Sequence, residues 1–372
     1  MTLYAGLMSG TSMDGVDAVL LQVTAAGCQV VGATHVDYDA GLTQRLRSAV
    51  ANPVQAGLDE LGQLDCLVAE AFAQATQALL RLTATDAAAV RAIGSHGQTL
   101  LHRPRSLPRF TLQIGDPNLI AEQTGIDVVA DFRRRDLAAG GEAAPLVPAF
   151  HAAVLGHPGE ARVVVNIGGI ANITVLAADG AVTGFDTGPG NCLMDLWIQS
   201  LGPQAFDRDG ALAASGRVDA ALLQHLLAEP YLSRPAPKST GRELFNSLWL
   251  QAALAGRALG AADVQATLCE FTAVSIARAI SDLAAVQPAR VLVCGGGVLN
   301  GQLLRRLAAQ LPGVAVESTA AYGIDPLHVE GAAFAWLAHR HIERLAGNLP
   351  AVTGARGPRV LGALYPGLVT SL

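Results

Sequence analysis

The run Gly10-Thr11-Ser12-Met13-Asp14-Gly15-Val16-Asp17 puts two hydroxyls and two carboxylates on one glycine-bounded turn. Glycine lets backbone N–H groups approach a phosphate, and Thr11 and Ser12 can donate hydrogen bonds to it. Asp14 or Asp17 can reach Mg²⁺ through water. The Gly-Lys-Ser/Thr ending of a P-loop is missing, so this is not a Walker loop. An ordinary Gly/Asp hairpin would use the same residues. A second glycine turn, Asn166-Ile167-Gly168-Gly169-Ile170-Ala171-Asn172, offers Gly168, Gly169 and Asn172 as an opposing phosphate contact. Alone, it also reads as a tight turn with a left-handed Asn. A third cluster, Cys294-Gly295-Gly296-Gly297-Val298-Leu299-Asn300, follows a strand-like run and opens a helix. Gly295, Gly296 and Gly297 clear room for a flat ligand or bring N–H groups to phosphate, with Asn300 at the helix start.

One carboxylate stands apart. Phe185-Asp186-Thr187-Gly188-Pro189-Gly190-Asn191 places Asp186 at a strand end just before a helix N-terminus. There it can act as general base, or it can accept hydrogen bonds from its own turn. A single Asp-Thr-Gly without an all-β pattern does not make an aspartic protease. His96-Gly97-Gln98-Thr99, Asp131-Phe132-Arg133 and Val329-Glu330-Gly331 are further polar groups at element ends. Lys238 is the only lysine beside 24 arginines. A compact ammonium is either required there or retained by chance on a loop.

These residues need a scaffold, and the scaffold repeats. Residues 3–38 and 162–186 share one layout: strand, glycine turn, strand, glycine turn, strand. Helices are expected at 43–51 and 58–82, the latter from apolar residues at a 3.6-residue period. Strands are expected at 90–95, 110–114 and 127–132, the last leading into a loop over 133–141. In the second half, helices are expected at 191–201, 242–258, 263–286, from about 300, and at 326–345, with strands at 290–294 and 314–317. Meander, helix, strand, helix, strand, given twice, is an α/β architecture of two lobes. The expected division is residues 1–130 with the tail 346–372 in the first lobe, and 131–345 in the second.

The 372 residues exceed one small core, which agrees with two domains. The chain is 51% hydrophobic, yet no stretch of about 18 uncharged apolar residues occurs. Residues 1–9 read as strand into turn, not as a signal peptide. Net charge is −6 and the basic run 133–135 is followed at once by Asp136, which disfavours nucleic acid. Five cysteines without close pairing fit reduced thiols and a cytoplasmic protein.

Taken together, these motifs resemble the anhydro-N-acetylmuramic acid kinase family. The likeness rests on residues 6–17, 96–99, 130–136, 144–148, 166–172, 186–191, 238–246, 295–300 and 329–331, in family order over nearly the whole chain. The family is similar to the actin, sugar-kinase and heat-shock-ATPase superfamily. The resemblance implies two ribonuclease-H-like lobes with a nucleotide cleft between them. It implies that water opens the 1,6-anhydro ring of anhydro-N-acetylmuramic acid while ATP phosphorylates the freed O6. The products would be N-acetylmuramic acid 6-phosphate and ADP, in recycling of cell-wall sugar. Asp186 would be the base for water. Thr99, Arg133 and Glu330 would hold the sugar, with Arg133 on the lactyl carboxylate. Residues 10–17 would hold the β- and γ-phosphates. Mg²⁺ would ride on the ATP phosphates, water-bridged by Asp14 or Asp17, with no direct protein ligand. A homodimer is implied, with no membrane or nucleic-acid partner. Glu142 departs from an expected neutral Gln and adds negative charge near an anionic sugar. Two other readings remain: an ordinary sugar kinase acting on an open-ring hydroxyl, and a non-catalytic nucleotide-dependent sensor.

Overall fold

The computed structural model describes residues 1–368 except 11, 26, 237, 284 and 285. The chain divides into two compact units, residues 1–154 with 328–372, and residues 155–327. In the first unit, β1 (Thr2–Ser9), β2 (Gly15–Thr24) and β3 (Gly27–Asp37) form an antiparallel meander. Then follow β4 (Val90–Arg103), β5 (Phe110–Ile114) and β6 (Val128–Ala130). The second unit holds β7 (Arg162–Ile167), β8 (Ile170–Leu176), β9 (Val182–Pro189), β10 (Arg290–Cys294) and β11 (Ala315–Ser318). The chain returns to the first unit for β12 (Ala363–Tyr365).

Each unit has its own sheet. The first runs β12-β6-β4-β1-β2-β3 with β5 on β4, and the second runs β11-β10-β7-β8-β9. In both, the meander's first strand pairs in parallel with the strand that follows the helices: β1 with β4, and β7 with β10. The repeat seen in sequence is thus a repeated topology, and both lobes are ribonuclease-H-like.

Alternation along β1 sorts its side chains to two faces. Ala5 and Leu7 join the core formed with Leu42 and Leu46 of helix Ala40–Ala51 and Leu64, Val68 and Phe72 of helix Leu58–Leu82. Tyr4 and Gly6 face helix Val329–Ile342 instead. A Cβ on Gly6 would collide with the Gly331 carbonyl, so this helix lies directly on the strand backbone. The expected boundaries 130/131 and 345/346 are corrected to 154/155 and 327/328 for this reason. Helix Val329–Ile342 belongs to the first unit, and so do helix Phe132–Ala138 and all but the last residue of helix Val147–Leu155. The expected loop over 133–141 is largely the first of these helices.

In the second unit, Val163, Val165, Val291 and Val293 pack with helix Ala261–Ser281, which is buried along most of its length. Expected helices at 242–258 and 263–286 are shorter, Ser247–Leu254 and Ala261–Ser281. The turn 295–300 is a short 3-10 segment, Gly296–Leu299, before helix Gly301–Gln310. No helix among the described residues is long and apolar enough to cross a membrane.

Candidate active site

The first-lobe hairpin is fixed from beneath. Ser9 Oγ lies 2.7 Å from the Gly15 carbonyl and 2.7 Å from Gln98 Oε1, and Gln98 Nε2 donates to the Gly10 carbonyl at 3.1 Å. Ser12 donates to Asp14 Oδ1 at 2.8 Å. Met13 and Val16 are buried in the lobe's core, so only their backbone is available to a ligand. Met13 takes a left-handed φ of 53° as the turn closes. Thr11 lies outside the described residues. Asp17 faces His35 across the β2–β3 pair at 2.7 Å, which leaves Asp14 as the exposed carboxylate of the turn. Burial alone would lower His35, but the Asp17 hydrogen bond and the charges of Asp17, Asp14 and Asp37 raise it.

Arg133, on the first turn of helix Phe132–Ala138, donates from Nε to His96 Nε2 at 2.9 Å and from Nη1 to the Ala143 carbonyl at 2.7 Å. Burial pushes its guanidinium down to about 10, against the pull of Glu330 and Asp136. Burial, then the Arg133 charge, holds His96 well below its ordinary value, so this histidine is neutral. Glu330 is raised by burial, with Arg133 opposing and Asp17 adding to the rise. Arg133, His96, Glu330, Asp136 and Asp17 therefore share one electrostatic neighbourhood within the first lobe. Thr99 Oγ1 accepts from Gln113 Nε2 at 3.1 Å. Glu142 is paired with Arg105 at 2.9 Å, so its extra charge has a local counterion.

In the second lobe, β8 sets Asn172 directly beside Asp186 of β9. Asn172 is thus a strand residue next to the carboxylate, not part of the glycine turn as expected. Asp186 Oδ2 accepts from Ser239 Oγ at 2.8 Å and from the Thr240 N–H at 3.1 Å. Its backbone is held on both sides: its N–H donates to the Lys238 carbonyl at 3.2 Å, and Tyr231 Oη donates to its carbonyl at 2.7 Å. Burial raises the Asp186 carboxyl, the Thr240 and Ser239 donors lower it, and Glu243 raises it again. The net shift is upward.

Lys238 now has a structural account. Its Nζ donates to the Leu232 carbonyl at 2.8 Å and lies 5.1 Å from the Tyr231 ring and 5.7 Å from the Phe185 ring. The ammonium so braces the residue before Asp186 and the tyrosine that grips it. Ser239 and Thr240 stood in the run 238–246 with no role assigned from sequence, and Tyr231 was not singled out. The lone lysine and the polar run after it were the available signal.

The Gly168 and Gly169 carbonyls accept from the N–H groups of Asn191, Gly190 and Cys192 at 2.8–3.1 Å. Only their N–H groups remain to meet a ligand. Gly295 sits at φ 79°, and a Cβ there would strike Asn166 Oδ1. Asn300 Oδ1 caps helix Gly301–Gln310 by accepting from Leu303, so that oxygen serves the helix. Gly296, Leu299 and Asn300 line a cavity of about 230 Å³ with Phe206, Met194 and Asp195. Phe206 and Leu299 are more than half exposed, leaving apolar surface of the kind a flat base stacks on.

Two ribonuclease-H-like lobes carrying a hydroxyl-rich glycine hairpin and a gripped strand-end aspartate define the actin, sugar-kinase and heat-shock-ATPase class. Within that class, the chain belongs to the anhydro-N-acetylmuramic acid kinase family, whose model matches residues 2–367. A protein of that name from Xanthomonas axonopodis pv. citri is 55% identical over 98% of both chains. Another from Pseudomonas paraeruginosa is 53% identical over 98% of both. One from Shewanella amazonensis is 52% identical over 98% of this chain and 99% of its own.

Proposed function

We propose that this protein uses ATP to phosphorylate O6 of anhydro-N-acetylmuramic acid while water opens the 1,6-anhydro bond, giving N-acetylmuramic acid 6-phosphate and ADP. The observation that carries the mechanism is Asp186. One oxygen is occupied by two donors and burial lifts its basicity, which suits a base working near neutral pH. In the reaction Asp186 takes a proton from water as the water oxygen bonds to the anomeric carbon. The C1–O6 bond breaks, and O6 takes the γ-phosphoryl group. The logic is that of an inverting glycosidase whose leaving oxygen is captured by phosphate instead of by a proton.

The first lobe supplies Arg133 for the lactyl carboxylate, with Thr99 and Glu330 for sugar hydroxyls. The backbone of residues 10–17 and the Ser12 hydroxyl hold the β- and γ-phosphates. The second lobe supplies the N–H groups of Gly168 and Gly169, and the Gly295, Gly296 and Gly297 turn beside the apolar cavity for the nucleoside. Asn172, adjacent to Asp186, orients water or phosphate. No group of three or more potential ligands clusters for a metal among the described residues. Mg²⁺ would be held by the ATP phosphates and water-bridged to Asp14 or Asp17. Bound there, Mg²⁺ neutralises phosphate charge. We also propose that the protein is a cytoplasmic homodimer, which light scattering on the purified protein tests.

The deciding experiment runs the reaction in H₂¹⁸O. Label at C1 of the product is expected. Turnover without label at C1 would instead make Asp186 the base for a sugar hydroxyl, as in an ordinary sugar kinase. Asp186→Asn should abolish turnover, and undiminished turnover would refute the base assignment. A wild-type protein that binds ATP without turning over sugar would support the sensor reading.

A further inference from the structure

Asp136 is fully buried, and three hydrogen-bond donors converge on its carboxyl group. Oδ2 accepts from the Ala143 N–H at 2.9 Å, and Oδ1 accepts from Asn348 Nδ2 at 2.7 Å and from Thr353 Oγ1 at 2.8 Å. Burying a carboxylate is costly, and fixed donors offset that cost. The proposed reaction makes no use of this group.

Asp136 lies three residues after Arg133 on helix Phe132–Ala138, so the two side chains are neighbours on one face. Both grip Ala143. Asp136 takes its N–H, and its carbonyl accepts from Arg133 Nη1 at 2.7 Å. Ala143 is buried with a left-handed φ of 60°, a conformation that alanine keeps only where its surroundings impose it. The turn can lie against the carboxylate because residue 141 is glycine, where a Cβ would strike Asp136 Oδ2. The C-terminal segment closes the arrangement. Asn348 and Thr353 reach Asp136 from 212 and 217 residues further along the chain, and the Thr353 carbonyl accepts from the Glu142 N–H at 2.7 Å. Asn348 Oδ1 is itself held by the Arg359 N–H at 2.7 Å.

The consequence falls on the Arg133 guanidinium. Its Nε donates to His96 Nε2 at 2.9 Å and its Nη1 to Ala143, and two bonds fix the plane of the group. Nη2 has no hydrogen bond among the described residues. A guanidinium grips a carboxylate bidentately only when its plane is set. We propose that Asp136 is a positioning residue for recognition of a carboxylated anhydro-sugar: it sets the Ala143 carbonyl that orients Arg133, and Asn348 and Thr353 set Asp136. This rests on the proposed role of Arg133 at the lactyl carboxylate.

The test uses the full-length protein and two sugars, anhydro-N-acetylmuramic acid and 1,6-anhydro-N-acetylglucosamine, which lacks the lactyl group. Titration calorimetry without ATP gives the Kd of each, and initial rates give KM and kcat for the first. By charge alone, removing a carboxylate near Arg133 would tighten an anionic ligand. Positioning gives the opposite sign. Asp136→Asn should weaken anhydro-N-acetylmuramic acid about tenfold and 1,6-anhydro-N-acetylglucosamine less than about twofold. Thr353→Val keeps the Asp136 charge. It should weaken the first sugar about three- to fivefold in Kd and KM, with kcat changed less than about twofold and Thr353→Ser close to wild type. A merely structural role would lower Tm and the active fraction and leave the ratio of the two Kd values where it was. Thr353→Val decides alone if Asp136→Asn does not fold. An unchanged ratio in Thr353→Val, equal losses for both sugars, or tighter binding of the anionic sugar by Asp136→Asn would overturn the proposal. If the wild type binds both sugars equally, or Arg133→Met leaves the ratio unchanged, the role of Arg133 falls and the proposal with it. If Arg133→Met collapses the ratio while Asp136→Asn and Thr353→Val do not, the positioning claim alone falls.

Discussion

Ser239→Ala removes one of the two donors on Asp186 Oδ2 and leaves the Thr240 N–H in place. A hydrogen bond to a charged group contributes about 1.5–3 kcal/mol. Ser239 is exposed, so water replaces much of it, and roughly 1 kcal/mol is the expected loss. Each unit of pKa corresponds to about 1.4 kcal/mol, so the Asp186 carboxyl should rise by about half to one unit. The sign follows from which form the bond favours. The hydroxyl stabilises the carboxylate, so losing it favours the acid. The base form is then lost at higher pH as the solution is acidified. The assay is kcat/KM for the anhydro-sugar across pH 5 to 9 with ATP saturating. The acid limb should move up by about half to one unit. Activity should fall about three- to tenfold on that limb and change little on the alkaline plateau. An acid limb that stays fixed, or a loss equal at all pH values, would refute the claim that Ser239 tunes the base.

Lys238→Met removes the cation from the Tyr231 and Phe185 rings and its bond to Leu232. It should lower kcat about 10- to 100-fold with KM for ATP unchanged, while Lys238→Arg retains more activity; equal losses would refute a positioning role for the charge. Arg133→Met should raise KM for the anhydro-sugar about 30-fold or more and spare KM for ATP, checked by initial rates. Gly6→Ala drives a methyl into the Gly331 carbonyl and to 2.5 Å from the Ala335 nitrogen. It should cost about 1–3 kcal/mol in urea unfolding. Asp195 is pushed up to about 6, chiefly by burial, with Arg242 opposing. Between pH 4 and 6 the folded state therefore holds the extra proton, and stability falls as pH rises through that window. Asp195→Asn should stabilise the protein at pH 7.5 by on the order of 1 kcal/mol after solvent screening, and make little difference at pH 4, checked by Tm at both.

The sequence by itself determined the repeat of two meanders and the periodic helix Leu58–Leu82, and it marked Asp186 as a strand-end carboxylate, whereas Arg133 and Glu330 drew their expected roles from the family resemblance alone. Those signals are local: a period, a glycine turn, or a carboxylate at a strand end. The family motifs fixed their order along the chain. Tertiary structure decided what meets what. Ser239 and Thr240 reach Asp186 across 53 and 54 residues of chain, and no spacing rule encodes that contact. It also moved Asn172 from the turn to the strand beside Asp186, committed one Asn300 oxygen to a helix cap, and turned Met13 and Val16 into the core. The lobe boundary failed in sequence for the same reason. Helix Val329–Ile342 reads alike whichever sheet it packs on. The close backbone approach permitted by Gly6, Gly94 and Gly331 assigns it to the first.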